Sequence, residues 1–300
     1  MRNEFASAMI ALYDTKPNQI FLTGDLGYMA LEKVRDKFGK HFINAGIAEQ
    51  NMVSMAAALA YDGFTPWAYS IAPFITLRPY EQIRNDVCLH NLPVKLVGNG
   101  GGYGYGIMGA THHNPEDIGA MRLMPNMKVY IPFLASDVEQ AVEQMANDIS
   151  PNYLRLNVGA KIDYTISSFA TWRKIKSGSK ATIIGTGPVL ENIFKLGNEF
   201  VEDLEIWVVS MFPFGEIPAA LLQNIHQTKK VITIEEHYQA GGLGESFAQK
   251  LLTILQLPIA FRSLCAAGYA SGKYGNQQWH QAENDLEGEN LKNNLTNFLL

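Results

Sequence analysis

Three clusters in this 300-residue chain combine residue types and spacings that could carry chemistry. The first is Glu49, set among small and apolar residues in Asn44-Ala45-Gly46-Ile47-Ala48-Glu49-Gln50-Asn51-Met52. A carboxylate at the start of a helix ordinarily complements the helix dipole, but such neighbours also suit a buried acid with a chemical task. In the second, seven glycines between Gly98 and Gly109 lead into Thr111-His112-His113-Asn114. A backbone so dense in glycine can take positive φ and bring N–H groups to a ligand, as a phosphate cradle or as a tightly turned active-site loop. The imidazoles that follow could serve as acid and base near neutrality, while adjacent residues of an extended segment point apart and do not share one metal. Gly104, Gly106 and Gly109 satisfy G-x-G-x-x-G, yet they start well past the strand and Asn114-Pro115 follows where a helix should open, which argues against a dinucleotide site. The third cluster, Glu235-Glu236-His237 before Gly241-Gly242-Leu243-Gly244, reads either as metal ligands or as a turn with solvated charges.

The elements that must position these groups alternate between short apolar runs and helical patterns, the signature of parallel sheets with helices packed on them. The first series has strands at 20–22, 65–70, 94–98, 128–132 and 153–156. Its helices lie at about 48–61 and 80–88, and a capping-box pattern at Ser136-Asp137-Val138-Glu139 opens another towards Ile149. After a polar stretch comes a second series, with strands at 181–185, 206–209, 230–234 and 259–264 and helices at 188–202 and 243–255. The expected fold class is α/β, with two consecutive domains of mainly parallel sheet flanked by helices: 1–160, a linker at 161–178, and 179–300.

Composition narrows the function. With 47% hydrophobic and 18% charged residues the chain can bury sizeable cores. Twenty-four Lys and Arg against 29 Asp and Glu, with no basic run, speak against nucleic acid as a partner. Cys88 and Cys265 stand far apart, so neither a disulfide framework nor a thiolate zinc site is expected, and a cytoplasmic location is. Glu4 and Asp14 interrupt the N-terminal apolar stretch, which reads as neither a leader nor a membrane span.

Taken in order, the segments resemble the transketolase family. Phe42 to Met52 is similar to the F-x-N-x-G-I-A-E-Q-N-M block of its pyrimidine-binding domain. Tyr80-Glu81-Gln82-Ile83-Arg84, Gly109-Ala110-Thr111-His112, Glu116-Asp117-Ile118 and Pro125-Asn126-Met127 add to the resemblance, and Gly185-Thr186-Gly187 with the Glu235 cluster is similar to the C-terminal domain. The domain that grips magnesium diphosphate through G-D-G…N has no counterpart; Gly24-Asp25-Leu26 lacks the second glycine of that motif. The resemblance therefore implies the C-terminal subunit of a split transketolase. A separate N-terminal subunit would carry the diphosphate and Mg2+ sites in an α2β2 complex, and no metal ligand is assigned to this chain.

The resemblance also implies roles. Glu49 would hydrogen-bond the aminopyrimidine of thiamine diphosphate and favour its imino tautomer, and a two-carbon ketol unit would pass from a ketose to an aldehyde, the cofactor supplying the electron sink. Phe74 would wall the pyrimidine. Ile71 stands where a second aromatic is expected, and Asp25 lies near the cofactor cleft. His112 would face the substrate with His113 beside it, and Arg2 and Arg155 would clasp a sugar phosphate. Two departures bear on the donor: Ile107-Met108 replaces an acidic pair that reads hydroxyls, and a second histidine is replaced around Asn99 or Gly100. A less hydroxylated or 2-oxoacid donor, in secondary or cell-surface sugar metabolism, is the expectation. The competing readings are the β subunit of a 2-oxoacid dehydrogenase and a decayed regulatory subunit.

Overall fold

The computed structural model describes residues 1–27 and 29–300. Among the described residues, twelve strands form two sheets. In the first half these are β1 (Gln19–Thr23), β2 (Phe42–Asn44), β3 (Thr65–Ile71), β4 (Lys95–Asn99), β5 (Lys128–Tyr130) and β6 (Asn152–Leu156). The second half contributes β7 (Trp172–Lys176), β8 (Ala181–Thr186), β9 (Leu204–Val209), β10 (Met211–Phe212), β11 (Lys230–Tyr238) and β12 (Ala260–Ala266).

The first sheet has the order β10-β5-β6-β4-β3-β1-β2, parallel except for β10. Its central strands are buried on both faces because helices cover each side, as a parallel sheet requires. On one face, Phe5, Met9 and Leu12 of the helix Arg2–Thr15 pack with Phe21, Trp67 and Leu154. Across the other, Met52, Val53 and Ala56 of the helix Glu49–Tyr61 pack on Leu22, Ala68 and Leu96, in a core that runs on into Phe212, Leu221 and Phe247 of the second half. The second sheet, β12-β11-β8-β9-β7, is parallel except for its edge strand β7.

Several sequence expectations meet a different local outcome. The stretch 161–178, expected as a linker, contains β7, which pairs antiparallel with β9. Two-residue β10 crosses back to close the edge of the first sheet. Ser136 makes no side-chain cap on the helix Asp137–Asn147; the Asp137 carboxylate instead accepts from the Phe133 and Leu134 N–H groups at 2.9 and 3.0 Å. The helix expected over 188–202 is cut into short pieces at Gly197, whose φ of 101° no helix accommodates. Finally, β11 continues through Glu235-Glu236-His237, so this cluster is buried strand and not a solvated turn.

Asp137 also shows how the halves are joined. Its two oxygens accept from Arg173 Nη1 and Nη2 of β7, both at 2.7 Å, and the pair is buried. Removing the cation alone strands a carboxylate away from water, so Arg173→Met is expected to cost about 3–5 kcal/mol in chemical denaturation, and Asp137→Asn in the same chain to restore part of it.

Candidate active site

A parallel sheet whose connections reverse direction opens a crevice at the carboxyl ends of the two strands where the reversal occurs. Here the chain goes from β1 to β2 on one side and then returns to β3 on the other, which places the crevice between Gly24-Asp25 and Ile71. The helix Glu49–Tyr61 begins at this point, and its first residue fills the crevice floor. Glu49 is 4% exposed; its Oε2 accepts from Arg78 Nη1 at 3.0 Å and its Oε1 is 3.5 Å from Ser70 Oγ. A methyl group placed on Gly24 would lie 3.6 Å from Glu49 Oε1, so the end of β1 runs directly beside the acid.

From Glu49 a row of side chains extends along the carboxyl edge. The Arg78 guanidinium lies 3.7 Å above the Phe74 ring, Phe74 meets the His112 imidazole edge-on at 5.2 Å, and Tyr105 flanks His112 at 5.9 Å. Tyr105 accepts a 2.9 Å hydrogen bond from Asn99 Nδ2 at the end of β4. Burial raises the Tyr105 phenol, while Asn99 and the cation of Arg2 draw it back. Asp25 is exposed beside Gly24 and accepts from Asn44 Nδ2 at 3.1 Å; Ile71 is half-buried at the end of β3, in register with Asn99. The structure thus gathers Glu49, Phe74, His112, Asp25 and Ile71 at one edge, while Arg2 is exposed at the start of the helix Arg2–Thr15.

Two expected members go elsewhere. Arg155, expected on a sugar phosphate, is 3% exposed, donating from Nε to Asp117 Oδ2 at 2.8 Å and from Nη2 to the Glu236 carbonyl at 2.9 Å. Burial opposes its charge, but Asp117 and Glu236 outweigh burial and hold the guanidinium protonated beyond its ordinary range. His113 points away from His112, into a box of Tyr103, Tyr269, Tyr274 and His280 in which Tyr103 and His280 are buried and Tyr274 is half exposed.

The Glu235 cluster is likewise tied up internally. Glu235 accepts from the Leu243 and Gly244 N–H groups at 2.6 and 2.8 Å, at the start of the helix Leu243–Ile254. Burial pushes it up to about 7, against the pull of those two donors and of Arg155 and Arg122. Glu236 accepts from Tyr103 N at 2.6 Å, and from Gln277 and Gln281. His237 Nε2 accepts from Gly119 N at 2.9 Å, so the ring proton is on Nδ1 and bonds the Tyr238 carbonyl. Much of the glycine density answers to these approaches: a side chain at Gly101 would overlap the Arg155 guanidinium, and one at Gly102 the Glu236 carboxylate. Arg78 and Tyr105 are the members the sequence reading missed. An arginine four residues after Phe74 was the available signal for the first.

A doubly wound pyrimidine-binding-type sheet with a buried acid at its reversal, followed by a smaller, mainly parallel domain, defines the class. Residues 1–160 match the family described as transketolase, pyrimidine binding domain, and residues 170–282 the transketolase C-terminal domain. One of the subunits of apulose-4-phosphate transketolase from Actinobacillus succinogenes is 32% identical over 246 residues, covering 78% of each chain. A putative transketolase C-terminal section of Methanocaldococcus jannaschii is 32% identical, covering 83% of this chain and 81% of its own. The 1-deoxy-D-xylulose-5-phosphate synthase of Clostridium perfringens is 27% identical over 98% of this chain, which spans only 48% of that enzyme. Among solved structures, one described as a split gene transketolase, inactive beta4 tetramer, superposes with a TM-score of 0.83 at 27% identity, covering 99% of this chain and 97% of that one. The chain belongs to the transketolase family.

The Glu49–Arg78 pair joins a buried acid to a cation that is 44% exposed. Arg78→Met is therefore expected to destabilise the chain by about 1–2 kcal/mol, less than loss of Arg173, and Glu49→Gln in the same chain to relieve that cost, as read from thermal unfolding.

Proposed function

We propose that this chain is the C-terminal subunit of a thiamine-diphosphate-dependent, transketolase-like enzyme that moves a two-carbon ketol unit from a ketose to an aldehyde. The observation that carries the reading is Glu49, a buried carboxylate at the sheet's switch point with an aromatic ring and a histidine alongside. The residues suit the pyrimidine end of the cofactor. Glu49 Oε1, with only the 3.5 Å approach of Ser70, keeps acceptor capacity for a ring N–H, and Phe74 offers a flat apolar surface. Bound thiamine diphosphate supplies a nucleophilic carbon and an electron sink that no side chain provides. This chain's part is to orient and to manage protons. Glu49 holds the proton it shares with the pyrimidine, Arg78 fixes the carboxylate's direction, and His112 exchanges protons with substrate oxygens at the open end of the row. Asp25 and Ile71 flank the cofactor, and Arg2 offers a cation to an anionic substrate group.

Diphosphate and Mg2+ fall to a partner subunit. Relatives named as one subunit of a transketolase and as a C-terminal section support that division, as do exposed apolar residues beside row members in the chain: Met29, Ile47, Leu77, Ile107 and Met108. A cleft between two such halves favours an α2β2 assembly. Ile107 and Met108, 76% and 54% exposed, present apolar surface where hydroxyl-reading acids are expected, so the donor is taken to be less hydroxylated than a pentose phosphate. The relatives named as transketolase pieces favour ketol transfer over a 2-oxoacid dehydrogenase subunit. Carbohydrate metabolism in the cytoplasm fits two cysteines that are free.

Co-expression with a subunit carrying G-D-G…N, followed by a donor screen with mass-spectrometric product detection, tests the reading. Glu49→Ala should lower ketol transfer by about 10²–10⁴-fold while the subunits still assemble. Unchanged turnover refutes the role of Glu49, and xylulose phosphate emerging as the best donor refutes the altered specificity.

A further inference from the structure

Residues 100–113 carry Tyr105 and His112 to the row, and this loop is held from both domains. Its Gly100 and Gly101 N–H groups both reach the Leu156 carbonyl, and Gly102 bridges Asn114. Beyond it, alongside the contacts of Tyr105 with Asn99 and of His112 with Phe74, further partners lie in the C-terminal domain. Glu236 takes the Tyr103 N–H, and the Tyr103 hydroxyl donates to the Gly268 carbonyl at 3.0 Å. The Tyr103 ring stacks on His280 at 5.0 Å, and Gly106 abuts the backbone of Asn276 and Gln277.

His113 is the hinge pin of this arrangement. The Gly106 carbonyl, 2.7 Å from Nε2, can only accept, so Nε2 carries the ring proton and Nδ1 accepts from the Tyr269 hydroxyl at 2.9 Å. One neutral tautomer thus ties the turn Gly106–Met108 to a tyrosine of the other domain. We infer that His113, held by Tyr269, is a positioning residue through which the C-terminal domain sets the loop bearing His112 and Tyr105. Only the activity readout rests on the ketol-transfer reading; the geometry does not.

The charge state matters because a protonated ring would present an N–H from Nδ1 to the Tyr269 hydroxyl and place a cation 4.8 Å from His280. The groups facing His113 are His112 and Tyr103 from its own domain and Tyr269, Tyr274 and His280 from the other, with Glu236 bonded to Tyr103 N and Glu283 near His280. Burial, with His280 and His112 nearby, lowers His113 below its ordinary value despite the Gly106 bond. A lowered histidine binds its proton less readily folded than unfolded. The clasp is therefore complete above about pH 6.5 and is lost as pH falls below it.

The test uses the full chain and its reconstituted complex. Tyr269→Phe removes one hydroxyl and keeps the ring. His113→Gln keeps an N–H donor for Gly106 without titrating, and His113→Ala removes both bonds. Hydrogen exchange of the full chain, expressed as protection relative to intrinsic rates, should fall at least about tenfold over 103–113 in Tyr269→Phe and His113→Ala, while β3 and the helix Glu49–Tyr61 stay protected. The wild type should lose loop protection below about pH 6.5, and His113→Gln should show no such step. In the complex, on the donor found by the screen, Tyr269→Phe should lower kcat at least about tenfold with KM within about twofold. Unchanged loop protection in Tyr269→Phe overturns the proposal, as does a loss spread evenly over the chain, which would mark a merely structural role. Wild-type complex without ketol transfer would refute the functional reading alone, leaving exchange to judge the clasp.

Discussion

The buried ion pair of Asp117 and Arg155 is the constraint on which the two halves depend. The second sheet also reverses its winding, between β8 and β11, and so opens its own crevice at the ends of those strands. Arg155 of the first domain reaches that crevice: a side chain at Gly187, just past β8, would lie 3.9 Å from its Nη1, and the Glu236 carbonyl of β11 accepts its Nη2. A buried guanidinium is tolerated only when its donors are matched, and Asp117 meets that need while also accepting from the Tyr153 hydroxyl at 2.8 Å. The place where the second domain could have taken a ligand is given over to its neighbour.

That commitment explains why the two sheets differ in what they leave open. In the first, the crevice holds Glu49 with one oxygen nearly free, and the adjoining row includes a half-exposed arginine and a half-buried aromatic. Polar groups at the second crevice are satisfied by backbone N–H groups and carboxamides: Glu235 by a helix start, Glu236 by Tyr103, Gln277 and Gln281, and His237 by Gly119. Unspent hydrogen-bonding capacity, more than the presence of charged residues, separates a site from a joint.

Much of this was legible in the sequence because the relevant signals are local. Apolar runs marked nearly every central strand, and the small, apolar residues around Glu49 suited a buried acid. His112 and His113 were expected to diverge, and they do. What could not be read depended on partners far along the chain. Arg155 looked like a phosphate ligand because its purpose is set by Asp117, Glu236 and Gly101, none of them near it in sequence. The Glu235 cluster could be read as metal ligands or as a solvated turn because burial of an acid is legible only once its donors are known. Edge strand β7 was lost in polar residues since an edge has one face to bury and alternates accordingly.

The glycine loop shows most plainly how one composition serves two ends. Its early glycines, 101 and 102, admit Arg155 and Glu236 and so belong to the joint, whereas the segment after Tyr103 projects Tyr105 and His112 toward the row. A dense glycine run therefore signals close approach without saying of what; here the approaching groups are the protein's own side chains. The same loop touches both crevices. Ile47, Leu77, Ile107 and Met108, neighbours in the chain of Glu49, Arg78 and Tyr105, are exposed apolar residues, so the joint is closed by the protein's own side chains and the row is not.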